Sequence, residues 1–255
     1  MAAPSTLDSP TVRDALALAR GRGRYDDAFG NYQRLIHELA ELFPNPRILE
    51  VGGGRSPLVD LATIERLGCE YTINDIDRNE LDRAPAGVRR MVGDIAAPGL
   101  VTAENRNHYD LVFSQMVFEH VADPAQAYHN LASMLRPGGL LVNFIPTYYA
   151  LPFLLNRAAP EWLTSRLLLL VQPNRHQEGQ PKFPAYYRWC TSTDRTLAKI
   201  RQAGFAQVDV LPFYGHGYYN KISPLHHFQE WVAGLVDRRH FKLGTAYAYV
   251  IAEGA

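Results

Sequence analysis

Residues 47–57 read Arg-Ile-Leu-Glu-Val-Gly-Gly-Gly-Arg-Ser-Pro. Ile48, Leu49 and Val51 surround a carboxylate, Glu50, and run directly into Gly52, Gly53 and Gly54. Beyond Pro57 the apolar positions Leu58, Leu61, Ile64 and Leu67 resume at helical spacing, predicting a helix over 57–67. A buried parallel strand, a tight turn and a helix start explain this order, and α/β sheets build nucleotide sites from that unit. Glycine suits the turn because a Cβ there would keep a ligand away from the backbone.

Before this unit the chain predicts helices over 8–22 and 24–43. The second places Tyr25, Phe29, Tyr32, Ile36, Leu39 and Phe43 on one face, and Pro44 and Pro46 stop it. After the unit, strands are expected over 70–74, ending in Asp75-Ile76-Asp77, and over 88–92, ending in Gly93-Asp94-Ile95. The run 109–113 is almost wholly apolar and predicts a strand buried on both faces. Asp123 caps the next helix, Pro124 opens it, and Tyr128, Leu131 and Leu135 form its inner face. Pro137-Gly138-Gly139 is expected to stop that helix before a strand over 140–145. A helix over 192–203, a strand over 207–213, a helix over 224–237 and a strand over 245–252 complete the pattern.

Alternating strands and helices predict one doubly wound, Rossmann-like domain over residues 1–255 with a seven-stranded, mostly parallel sheet. Residues 1–45 form its N-terminal helical cover. The rhythm fails over 148–190, which reads as an insertion or lid on the substrate side.

Composition narrows the function classes. Lysine and arginine number 26, as do aspartate and glutamate, so there is no basic excess for a nucleic-acid footprint. Cys69 and Cys190 make neither a disulfide framework nor a metal spacing, so a cytoplasmic protein without a metal is expected. The N-terminal residues lack the layout of a signal peptide. The apolar stretch 148–173 is interrupted by prolines and charges, so no stable membrane insertion is expected.

A dinucleotide fingerprint needs a third glycine where this chain has Pro57, and a phosphate loop needs a Gly-Lys-Ser/Thr that does not follow. A carboxylate at Glu50 also suits an ammonium- and sulfonium-bearing ligand better than a pyrophosphate. Glu50-x-Gly52-x-Gly54-x-Ser56 resembles the first motif of class I S-adenosylmethionine-dependent methyltransferases. Four further segments are similar to that family's motifs in order and spacing. They are Asp75 after the second strand, Gly93-Asp94-Ile95, the run from Tyr109 through Phe118-Glu119-His120-Val121, and Leu135-Arg136-Pro137-Gly138-Gly139. The chain departs from the pattern at Ser56, where a third glycine is common, with Arg55 beside it.

The resemblance implies a last strand running antiparallel and S-adenosyl-L-methionine as the cofactor. It also implies a cofactor site of Glu50, Gly52, Gly53, Gly54, Asp75, Ile76, Asp94, Ile95, Ser114 and Gln115. Within it Asp75 would bind the ribose hydroxyls and Asp94 the adenine amino group, with Ile95 beside the ring. Asp77 reads as a helix cap and Asp110 as a structural residue.

His120 follows the fourth strand and has the pKa class of a general base, with His216 as a weaker alternative and His226-His227 behind it. The other reading of Glu119 and His120 is that they organise the loop over the cofactor. Aromatic runs at 183–189 and 213–219 suit a pocket for a ring or an acyl chain. The expected activity is methyl transfer to a hydroxyl or amine of a small molecule. The alternatives are carbon methylation of a quinone or lipid precursor and a non-catalytic cofactor-binding scaffold. A homodimer is an open expectation.

Overall fold

The structure, a computed structural model, describes residues 10–20, 28–147, 183–214, 227, 231–235 and 245–255. Two helices, α1 (Val12–Arg20) and α2 (Ala28–Glu41), precede the first strand. Then come β1 (Arg47–Val51), α3 (Leu61–Arg66), β2 (Glu70–Asp75), α4 (Arg78–Asp82), β3 (Arg89–Val92) and β4 (Tyr109–Gln115). A 3₁₀ turn (Phe118–His120) leads to α5 (Pro124–Met134) and β5 (Leu135–Pro146). The remaining elements are α6 (Asp194–Gln202), β6 (Phe205–Phe213) and β7 (Tyr247–Gly254).

The strands form one seven-stranded sheet in the order β3-β2-β1-β4-β5-β7-β6. Pairings from β3 to β5 are parallel, whereas β7 runs antiparallel between β5 and β6. This is the doubly wound, mostly parallel sheet with an antiparallel last strand that the sequence led us to expect.

Strand alternation divides the core into two layers. Ile48, Leu111, Phe113, Val142 and Tyr249 pack with α1 and α2, while Leu49, Val51, Val112, Leu141 and Val250 pack with α5 and α6. Tyr32 locks α2 to the sheet, its buried hydroxyl lying 2.7 Å from the Ser114 carbonyl and 2.8 Å from that of Val142. Ile36, Leu39 and Phe43 are buried as the helical spacing predicts, but Phe29 is half exposed and meets Phe144 edge-on. Tyr25 lies outside the described residues.

Two element boundaries differ from the sequence reading. The helix expected over 57–67 begins only at Leu61, capped by Asp60, whose carboxylate accepts from the Thr63 amide at 2.9 Å. Leu58 lies ahead of that cap, and its amide donates to Glu50. The second difference is at 135–139, where the strand starts at Leu135 and Pro137-Gly138-Gly139 lies inside it. Tyr109 pairs with Leu135 but Leu111 pairs with Leu140, so these residues form a bulge against β4. Gly138 adopts a φ of +73°, and a Cβ on Gly139 would sit 2.9 Å from the Tyr109 carbonyl.

Asp123 and Asp77 cap α5 and α4, as read from the sequence. Asp110 is structural: it accepts from the Arg47 amide at 2.7 Å and pairs with Arg136 at 2.6 Å. The helix expected over 224–237 and residues 148–182 of the insertion lie largely or wholly outside the described residues.

Candidate active site

A cleft of about 900 Å³ opens at the carboxyl ends of β1 to β4, where open α/β sheets take their ligands. Its floor is the turn after β1. Gly52 and Gly54 hold φ values of +76° and +54°, conformations that side chains resist. The Gly52 amide donates to the Asn74 carbonyl at 2.7 Å, tying the turn to β2. A Cβ on Gly52 would lie 2.4 Å from Val117 Cγ2, and one on Gly53 would lie 2.7 Å from Glu50 Cδ. The turn is therefore bare backbone braced from both sides.

Glu50 is that brace. Period two places it with Ile48 on the α2 side of the sheet, where its carboxylate accepts from the Tyr71 hydroxyl at 2.6 Å and the Leu58 amide at 3.1 Å. Burial raises its pKa to about 7, although the hydrogen bonds from Tyr71 and Leu58 work against the shift. It lies beneath the turn and is not among the residues that line the cleft. Ser114 also stands back from the cleft: it is fully buried, and its hydroxyl donates to Asn143 Oδ1 at 2.9 Å.

The other expected residues converge. Gly52, Gly53, Gly54, Asp75, Ile76, Asp94, Ile95, Gln115 and His120 all line the cleft. Asp75 ends β2, and one carboxylate oxygen accepts from the Asp77 amide at 2.9 Å. Burial pushes its pKa up, with the neighbouring carboxylates of Asp77 and Glu80 adding to the shift. Asp94 accepts from the Ala96 amide at 2.8 Å, which holds it at the mouth of the β3 loop. Ile76 is 56% exposed there, an apolar side chain with space for a flat ligand.

The opposite end is built from the loop after β4 and the segment 183–186. His120 Nδ1 lies 3.0 Å from the Pro184 carbonyl. A carbonyl only accepts, so Nδ1 carries the hydrogen and a neutral His120 has its lone pair on Nε2. Glu119 Oε1 lies 3.8 Å from that Nε2. The Glu119 carboxyl is buried, and burial lifts its pKa to about 7. Its backbone carbonyl accepts from the amides of Tyr186 and Tyr187 at 2.7 and 3.1 Å. Arg188 donates to the Ala122 carbonyl at 2.7 Å, and Trp189 stacks on Tyr128. These contacts bring Phe183, Pro184 and Tyr186 to the cleft wall.

Sequence reasoning missed Glu80, Met116 and Val117, which also line the cleft. Met116 has a φ of +56°, a backbone outlier that no local sequence signal announces. His216 and His226 lie outside the described residues. Among the described residues no group of three or more His, Cys, Asp or Glu side chains could hold a metal ion, and no helix is long and apolar enough to cross a membrane.

A family model described as a methyltransferase domain matches residues 25–199. The chain is 29% identical over 195 residues to a highly reducing polyketide synthase of Alternaria alternata, covering 69% of this chain and 7% of that protein. It is 30% identical over 104 residues to a ubiquinone biosynthesis O-methyltransferase of a Caulobacter species, covering 39% and 40% of the two chains. The chain thus spans well under half the length of these curated relatives. The structure is similar to that of the CurJ carbon methyltransferase, with a TM-score of 0.52 at 17% identity, covering 88% of this chain and 53% of that one. With that match, the seven-stranded sheet and the cleft at its carboxyl edge, the chain belongs to the methyltransferase-domain family and has the class I fold.

Proposed function

We propose that this protein is an S-adenosylmethionine-dependent methyltransferase that acts on a hydroxyl or amine of a small molecule. The observation carrying this reading is the single cleft that joins the bare glycine turn, Asp75, Asp94 and His120. Its volume, about 900 Å³, falls in the range of small-molecule sites. The residues fit the cofactor by their chemistry: a backbone that admits close approach, and acceptors for sugar hydroxyls and an adenine amine. When bound, the cofactor supplies a methyl group already activated on a sulfonium.

Asp75 would accept from the ribose hydroxyls, a charged acceptor making the stronger kind of hydrogen bond. Asp94 would accept from the adenine amine, with Ile76 and Ile95 against the ring. Gln115 borders the end where methyl transfer would occur. His120 Nε2 would take the acceptor's proton while Nδ1 keeps its hydrogen on Pro184. Holding the acceptor in line with the methyl is the larger contribution, up to roughly 7–11 kcal/mol for well-oriented reactants. The balanced charge of the chain favours a small-molecule acceptor over a nucleic acid. A cytoplasmic location completes the proposal.

Carbon is the second reading for the acceptor atom, and the likeness to the CurJ carbon methyltransferase favours it. Titration calorimetry with S-adenosylmethionine tests the cofactor. Micromolar binding that weakens at least tenfold in Asp75→Ala is expected, and unchanged affinity in that variant would overturn the cofactor map. A methyl-transfer screen over phenols, amines, sugars and activated carbon acids then identifies the acceptor.

A further inference from the structure

Arg55 follows the glycine turn directly, beside Ser56, where the chain departs from the family pattern. Its guanidinium reaches Glu80 on α4 in a two-pronged pair: Nε donates to one carboxylate oxygen and Nη2 to the other. Both side chains line the cleft. The pair stands beside Asp75: from the position a Cβ on Gly54 would take, Asp75 Oδ2 is 3.5 Å away and Glu80 Oε2 is 3.8 Å away. Arg55 belongs to the loop after β1 and Glu80 to the helix after β2. The ion pair therefore joins two walls of the cleft at the end where Asp75 points.

We propose that the Arg55–Glu80 pair is a clasp over the nucleoside end of the cleft that slows release of the bound cofactor and of its demethylated product. The proposal rests on the cofactor reading above. A planar fork on a carboxylate fixes both distance and orientation, so the loop and the helix cannot separate without breaking two charge-assisted hydrogen bonds at once. The Arg55 side chain is 43% exposed and that of Glu80 18% exposed. Water and salt therefore weaken the pair, and its effect on release is modest and dependent on ionic strength. Arg55 and Glu80 are positioning residues with no part in methyl transfer.

The test is the dissociation rate of S-adenosylhomocysteine from the full chain, measured by stopped-flow displacement at low and high salt. R55A and E80A should each speed release about two- to fivefold at low salt, consistent with a partly exposed ion pair. The double variant R55A/E80A should release no faster than either single one, because the two changes remove the same contact. The charge-exchanged R55E/E80R should recover at least half of the lost residence time, and the differences should shrink at high salt. Melting temperatures within a few degrees of wild type would show that the fold is intact. Strictly additive effects, release rates equal to wild type, or no recovery on charge exchange would each overturn the clasp. A wild-type chain that fails to bind S-adenosylhomocysteine would overturn the cofactor reading and the clasp with it. Normal wild-type binding with unaltered release in the variants would overturn the clasp alone.

Discussion

Tyr71 on β2 donates its hydroxyl hydrogen to the Glu50 carboxylate on β1 across 2.6 Å, beneath the turn that floors the cleft. Neither group touches the cleft, yet together with the Leu58 amide they fix the height of Gly52–Gly54 above the sheet. The carboxyl fills the space that a side chain on Gly53 would need.

This burial makes stability depend on pH. Glu50 holds a proton in the folded chain up to about pH 7, whereas an exposed glutamate loses it near 4.5. The folded state thus binds more protons between those values, and stability falls as pH rises through the window. The loss from Glu50 is at most roughly 3 kcal/mol. Glu119 is shifted in the same direction and acts over the same range. In Glu50→Gln the decline between pH 5 and pH 7.5 should be visibly shallower in urea titrations; an unchanged slope would mean that Glu50 is ionised in the fold.

The glycine turn should tolerate no side chain. Gly53→Ala would press a methyl against Glu50 and Ile73, at a cost of about 1–3 kcal/mol in thermal unfolding, and should abolish cofactor binding. Gly52→Ala meets Val117 and also the penalty of a positive φ. Adding Val117→Ala should restore only part of the loss, because it removes the clash and leaves the backbone strain. Full recovery in the double variant would show that the strain is unimportant.

His120→Gln should lower turnover on a hydroxyl or amine acceptor by roughly a hundredfold or more, with cofactor affinity unchanged. If the acceptor is carbon, turnover should stay within a few-fold of wild type, so the same variant separates the two readings.

Asp110→Ala removes the acceptor of the Arg47 amide and the partner of Arg136. A loss of about 1–3 kcal/mol in stability is expected, since a buried donor is left unpaired. Cofactor affinity should not change. A selective loss of binding without a change in melting temperature would be incompatible with a purely structural Asp110.

Much of the cleft lining was legible in the sequence. Its residues sit where strands end in turns, and the alternation of apolar runs with glycine and aspartate marks those places. Asp75, Asp94 and Gln115 reach the cleft because each lies within two residues of a strand's carboxyl end. Glu50 and Ser114 lie off the cleft for a reason the same pattern contains. Period two sets Glu50 with Ile48 against α2 and Ser114 with Val112 in the opposite layer, so their side chains point into the two cores.

The sequence by itself determined the order of strands and helices, the buried sheet and the position of the bare turn. Those follow from apolar periodicity and from residues with special backbone freedom, which are local properties. Only the tertiary structure decided that Arg55 meets Glu80, that Pro184 fixes the tautomer of His120, and that Glu50 lies under the cleft floor. These depend on side-chain direction and on contacts between residues far apart in the chain. Local periodicity says which face a residue occupies, but not which distant group it will find there.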